Sequence, residues 1–244
     1  MIYVLSDIHG NTRRFESVMG KIDLHEDDLL YVLGDVTDRG RDGIKLLLML
    51  LDMPNARLLL GNHEHMMLEC LDTVYGPDPE AQELRRRKFA RWYRNGGRVT
   101  EESVMALEFS KRRRLFDRLR ALPLEYDVET GGRRFKLVHG APAEDYEKYG
   151  ERYDDVLTFA VWMRWKADHV PDGDYTLVFG HTPTDEYQTD DPLALWYGER
   201  MIGIDCGCCY PDPPEQGERC GRLACLRLDD MQVFYSDELL SPNE

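Results

Sequence analysis

Five hydrophobic runs punctuate the chain, Ile2 to Leu5, Leu29 to Leu33, Arg57 to Leu60, Phe135 to Val138 and Tyr175 to Phe179, and a short polar cluster follows each. The runs are rich in Val, Leu and aromatic residues and are bounded by turn formers, the pattern of buried strands. The clusters are Asp7-Ile8-His9-Gly10, Gly34-Asp35-Val36-Thr37-Asp38-Arg39-Gly40, Gly61-Asn62-His63-Glu64, His139-Gly140 and Gly180-His181. Each therefore sits at the carboxyl end of a strand, the edge at which open α/β sheets bind ligands. Asp, Asn and His donors gathered on one edge suit a pair of borderline divalent cations.

Between the first runs the pattern switches to helical period, from about Asn11 to Met19 and from about Asp42 to Leu51. Strand, helix, strand, helix, strand in that order implies a parallel sheet with right-handed crossovers. From Glu64 to about Leu119 the sequence is charged and helix-favouring, broken at Asn95-Gly96-Gly97, and reads as a helical insertion. Strand signals return at Leu124 to Glu129, which Thr130-Gly131-Gly132-Arg133 joins to the run at Phe135 as a hairpin, and at Met201 to Asp205, Leu223 to Leu228 and Gln232 to Tyr235. The second half is thus β-rich, a mixed or antiparallel sheet packed on the first. No repeat or linker divides the chain, so one α/β domain over residues 1–244 is expected, with the insertion at about 65–120 and a surface loop at Pro211 to Gly217.

Composition narrows the partners. A chain of 244 residues with 42% hydrophobic content can bury a sizeable core. Its 31 basic and 46 acidic residues give a net charge of −15, a field that repels nucleic acid but leaves small phosphate esters open once metal ions hold them. The amino terminus enters a strand at once with no secretory signal pattern, and the longest apolar stretch, Ile44 to Leu51 with Lys45 inside it, is too short for a bilayer; a cytoplasmic protein without membrane partners is expected. Six cysteines in that compartment stay reduced, and the group Cys206, Cys208, Cys209, Cys220 and Cys225 lacks paired Cys-x-x-Cys spacing and reads as buried thiols. His25, His65 and His169 read as surface or satisfied helix histidines, and Tyr146, Tyr149 and Tyr153 as core or pocket wall. Arg85-Arg86-Arg87-Lys88 and Arg112-Arg113-Arg114 read as solvated helix faces, or as an attractor for acidic or phosphorylated partners if they line a site.

The ordered motifs Asp-x-His-Gly, Gly-Asp-x-x-Asp-Arg-Gly, Gly-Asn-His-Glu, His-Gly and Gly-His resemble those of the calcineurin-like metallophosphoesterases. Within that superfamily the chain is most similar to the serine/threonine phosphatase branch that includes lambda-phage phosphatase and the diadenosine tetraphosphate hydrolases. Glu64-His65-Met66-Met67, Asn95-Gly96-Gly97, Trp162-Met163-Arg164 and Ile204-Asp205-Cys206-Gly207 extend the match, while Ser6 and Ala141-Pro142 depart from it. Related nucleases and phosphodiesterases usually end in Gly-His-x-His; Gly180-His181-Thr182-Pro183 supplies a single histidine, which favours the phosphatase branch.

The resemblance implies a four-layer αββα sandwich of two mixed β-sheets flanked by helices, with a helical insertion. It implies two divalent cations, manganese first and iron or zinc as alternatives, with Asp7, His9 and His181 on one ion, Asn62 and His139 on the other and Asp35 shared. Hydroxide held by the two ions would attack phosphorus, Arg39 and Arg164 would grip the phosphoryl oxygens, and His63, oriented by Asp38, would protonate the leaving oxygen. The expected function is hydrolysis of phosphomonoesters on a phosphoprotein or small molecule, with dinucleoside polyphosphate hydrolysis as the alternative. A non-catalytic metal-bound adaptor would lack one or more of these core residues, and none is missing.

Overall fold

A computed structural model describes residues 1–210 and 221–237. Cys220 and the Pro211 to Gly217 loop lie outside the described residues. Among the described residues, ten strands form two five-stranded sheets. In the first, β1 (Ile2–Leu5), β2 (Leu29–Val32) and β3 (Ala56–Leu58) run parallel, and β9 (Ala224–Arg227) and β10 (Gln232–Tyr235) extend the β1 edge antiparallel. In the second, β4 (Glu125–Thr130) pairs antiparallel with β5 (Arg133–Val138), β5 runs parallel to β6 (Thr176–Phe179) and β6 to β8 (Met201–Gly203), and β7 (Trp196–Gly198) closes the edge antiparallel to β8.

Strand alternation assigns each side chain to a layer, because successive residues point to opposite faces. Tyr3 and Leu5 of β1 and Leu30 and Val32 of β2 join a core with α1 (Thr12–Met19) and α2 (Gly43–Asp52). Val4 and Tyr31, one step out of phase, meet Phe135, Leu137 and Val178 of the other sheet in a central core. Leu177 and Phe179 of β6 face outward onto Phe159 of α8 (Val156–Trp162). The result is the four-layer αββα arrangement with two mixed sheets.

The helical insertion is built from α3 (Asn62–Leu71), α4 (Pro79–Arg94), α5 (Arg98–Met105) and α6 (Phe109–Arg120). Asp78 caps α4 by accepting from the Ala81 amide, Pro79 opens it, and Asn95 ends it at the expected break. Two features differ from the sequence expectation. α3 begins at Asn62, two residues before the expected start at Glu64, so Asn62 and His63 occupy its first turn, and β7, only three residues long, was too short to carry a strand signal. Tyr146, Tyr149 and Tyr153 pack as partly buried members of the outer core, His25 is exposed, and the His169 ring stacks on Trp165 with centroids 4.0 Å apart. Cys70, Cys206, Cys208, Cys209 and Cys225 are free thiols. No helix among the described residues is long and apolar enough to cross a membrane.

Leu137 is fully buried between the sheets, so Leu137→Ala opens a cavity that neither rigid layer can fill. The substitution is expected to cost about 2–5 kcal/mol, read as a lowered urea midpoint with an unchanged slope.

Candidate metal centre

All five polar clusters leave their strands on the same side, and the two sheets present their carboxyl edges to one another there. Asp7 and His9 follow β1, Asp35 and Asp38 follow β2, and Asn62 and His63 open α3 just after β3. His139 follows β5 and His181 follows β6. Every one of these side chains is buried. Six of the contributing residues hold left-handed backbone: Asp7 (φ 55°), His9 (49°), Asp35 (53°), Asp38 (67°), Arg39 (65°) and His181 (64°). That conformation is uncommon for residues other than glycine and persists only where the surroundings impose it. Here amides and carbonyls of adjoining loops bond to each other: His9 N–H donates to Asp35 O (3.0 Å), Gly40 N–H to His9 O (2.9 Å) and Gly180 N–H to His139 O (3.0 Å). Glycine is required at Gly61, since a Cβ there would collide with the Asp35 carboxylate and backbone.

Asp35 is the centre of the cluster. Its Oδ2 lies 3.9 Å from His9 Nε2, 3.8 Å from His63 Nε2 and 3.4 Å from His139 Nε2. The rings are aimed by their far nitrogens: His9 Nδ1–H donates to Thr37 O (3.0 Å) and His139 Nδ1–H to Leu33 O (2.6 Å), leaving both Nε2 atoms for the centre. Asn62 Oδ1 reaches His139 Nε2 at 2.9 Å. Asp7 Oδ2 accepts from the His181 amide (3.0 Å) and from the Ser6 hydroxyl, so the serine at this departure from the family pattern is absorbed as a donor to the Asp7 carboxylate.

The electrostatics call for positive charge. Burial pushes the Asp7 carboxyl well above its ordinary range, and Asp205 and Asp35 add to the push. Burial also works to raise Asp35, but His139, His63 and His9 pull it well below the usual carboxylate range. His139 rises to about 9 against its own burial because Asp35 and Asp7 face it. Burial drives His9 and His181 well down, helped at His9 by the charges of His63 and Arg39 and at His181 by those of His139 and Arg164. His181 Nε2 is buried with no hydrogen-bond partner among the described residues. A ring nitrogen that is neutral, buried and unpartnered beside buried carboxylates is the donor chemistry of a divalent-cation site, so the residues fit the metal pair.

Among the described residues two groups of donor atoms share the Asp35 carboxylate. The ring of His181 stands with His139, their centroids 5.1 Å apart, and both group with Asp35, while His9 and His63 form the other group with it; Asp7 adjoins both, 4.0 Å from His9 Nε2 and accepting from the His181 amide. The reason is topological. β5 and β6 are parallel neighbours in the second sheet, while Asp7 and His9 leave the first.

The residues expected to handle the phosphoryl group divide. His63 Nδ1–H donates to Asp38 Oδ2 at 2.6 Å, leaving Nε2 toward the cleft, where Arg39 Nη2 approaches it at 3.4 Å. Arg39 Nη1 also donates to Cys209 Sγ (2.6 Å). Arg164 lies at the rim, about half exposed, in an ion pair with Glu186.

Sequence reasoning left several positions without a role. Glu64, fully buried, accepts from the Asp35, Val36 and Thr37 amides and the Thr37 hydroxyl at 2.9 to 3.0 Å, clamping the loop that carries Asp35. The Trp92 indole donates to Asp38 Oδ2 (2.8 Å), and Thr100 Oγ1 accepts from the Asp38 amide (2.9 Å). Asp205, after β8, is buried at the same edge, and burial raises it to about 6. Glu64 and Asp205 stood inside quoted motifs and were readable as candidates; Trp92 and Thr100, on charged helices, carried no signal.

Comparison with known proteins agrees with this geometry. A family model described as calcineurin-like phosphoesterase matches residues 1–207. The chain is 28% identical over 192 residues to serine/threonine-protein phosphatase 2 of Salmonella typhimurium, covering 75% of this chain and 80% of that one. It is 34% identical over 279 residues to the symmetrical bis(5'-nucleosyl)-tetraphosphatase of Erwinia tasmaniensis, covering 95% of each. Among solved structures, the metallophosphoesterase from Sphaerobacter thermophilus shares the fold with a TM-score of 0.53 at 19% identity, over 96% of this chain and 87% of that one.

Glu64→Ala strands three buried amides behind Asp35. It is expected to cost at least about 3 kcal/mol, since each orphaned buried donor costs about 1–3 kcal/mol, and equilibrium urea unfolding measures it.

Proposed function

The chain belongs to the calcineurin-like phosphoesterase family, and from that premise we propose that it is a phosphatase hydrolysing phosphomonoesters on a phosphorylated protein or small molecule. The observation that carries this reading is the convergence of three imidazole Nε2 atoms on the Asp35 carboxylate at the seam of the two sheets. Asp7, His9 and Asp35 would hold one divalent cation, and Asp35, Asn62, His139 and His181 the other, with manganese the first candidate for both. When bound, the pair would supply Lewis acidity and would bring the pKa of bound water toward neutrality.

The chain's own side chains do the rest. Arg39, released from Cys209, grips phosphoryl oxygens as a planar fork, and Arg164 joins it from the rim by exchanging Glu186 for the substrate. His63 delivers a proton from Nε2 to the leaving oxygen, because Nδ1–H is committed to Asp38 and the carboxylate stabilises the imidazolium. Trp92 and Thr100 keep Asp38 in register, so the dyad is fixed before substrate arrives. The single histidine of Gly180-His181-Thr182-Pro183 supports monoester over diester chemistry.

A second reading, hydrolysis of a dinucleoside polyphosphate at the same centre, is favoured by the 34% identity to a bis(5'-nucleosyl)-tetraphosphatase along nearly the whole of both chains. Turnover of diadenosine tetraphosphate and of a phosphoserine peptide at equal concentration separates the two, the peptide being preferred on the first reading.

Chelator is expected to abolish turnover and Mn²⁺ to restore it; full activity in chelator overturns the reading. Asp35→Asn should collapse turnover. His63→Ala should lower kcat by about 10² to 10⁴ for alkyl phosphates and by much less for p-nitrophenyl phosphate, whose leaving group needs no proton.

A further inference from the structure

At the far end of α3 from His63 the insertion forms an open cavity of about 600 Å³ between α3, α4, α5 and α6. Cys70 and Phe116 form a buried floor. Arg85, Arg112 and Arg113 stand in the walls, and among the described residues none of the three has a carboxylate partner; Arg120, also present, is taken by Asp72 and Asp117. Phe89 lies under the Arg85 guanidinium at 4.9 Å, and Phe109 beside Arg112 is 70% exposed. Three uncompensated guanidinium groups in a chain of net charge −15 concentrate positive potential where the rest of the surface is acidic. An open aromatic ring among them offers a face for stacking.

We propose that this cavity is an effector site for a nucleoside phosphate, its base on Phe109 and Phe89 and its phosphates on Arg85, Arg112 and Arg113. The volume and the buried floor fit a compact ligand of some tens of atoms better than an extended peptide. The floor is offset from the metal centre, since Cys70 lies seven positions after His63 on α3, about 10 Å along the helix. The same helices reach the catalytic edge. Phe89 packs against Trp92, ring centroids 6.3 Å apart, and Trp92 holds Asp38; Glu101 of the cavity wall adjoins Thr100, which holds the Asp38 amide. A ligand that braces α4 and α5 therefore steadies the Asp38–His63 pair and raises kcat.

The test uses the full chain and β,γ-imido-ATP as probe. In chelator, where no turnover occurs, calorimetry is expected to show saturable binding that Arg85→Ala/Arg113→Ala weakens at least tenfold and Phe109→Ala at least threefold. With Mn²⁺ in excess of nucleotide, saturating probe is expected to raise kcat on p-nitrophenyl phosphate at least twofold in the wild type and not in the double variant, whose basal kcat is unchanged. The proposal is overturned by absence of saturable binding, by inorganic triphosphate binding as tightly as the probe, by binding that Arg39→Ala abolishes and the double variant retains, or by an unchanged kcat at saturation. The binding arm runs without activity, so its failure is distinguishable from failure of the phosphatase reading.

Discussion

A buried carboxylate costs several kcal/mol unless positive charge and hydrogen bonds compensate it, and Asp35 imposes that demand on everything around it. Its carboxylate is approached by imidazoles from three different segments, and the peptide behind it is held by a second buried carboxylate, Glu64. Asp7 and Asp205 add negative charge at the same edge. Side chains alone satisfy this concentration poorly. His139 is drawn to about 9 as a partial answer, and His181 Nε2 is left without a hydrogen-bond partner among the described residues.

The architecture follows from that demand. Loops that bend through left-handed backbone would be loose on an isolated sheet, but here they bond to one another across strand ends, continuing the ladder past the strands themselves. His139 Nδ1–H to Leu33 O crosses between the sheets, so the aim of a ring carried by one sheet depends on the docking of the other. The central core, with Val4, Leu33, Phe135 and Val178, supplies the apolar burial that holds the two sheets in that relation. The insertion contributes from a third side, since Trp92 and Thr100 fix Asp38.

Much of this was legible in the sequence because strand ends and ligand types coincide. Runs such as Leu29 to Leu33 stop at Gly-Asp, a boundary that hydrophobic pattern and turn chemistry both mark. The two-layer alternation was not legible, because strands buried on both faces read as continuous apolar runs. The nearness of His181 to His139 was not legible either, since sequence order separates them while the parallel pairing of β5 with β6 makes them neighbours. Arg164 could be named from its motif, but its pairing with Glu186 depends on where a short 3₁₀ turn delivers that carboxylate. Trp92 was invisible for a general reason: an aromatic in an arginine-rich helix looks like packing, and only its tertiary position reveals that its N–H is aimed at Asp38.

The inter-sheet bond from His139 to Leu33 also orders events during synthesis. A ribosome that has released residues 1–71 has delivered the first sheet's parallel strands, Asp35 and its Glu64 clamp, yet neither ring of the second sheet exists to face the carboxylate. The cluster closes only when β5, β6 and β8 have emerged and docked, with Asp205 the last of its buried groups to arrive. Contacts of such long sequence separation form late in folding. The nascent amino-terminal third therefore carries Asp35 without the second-sheet ring that faces it in the completed fold, and docking of the second sheet is what finishes the seam.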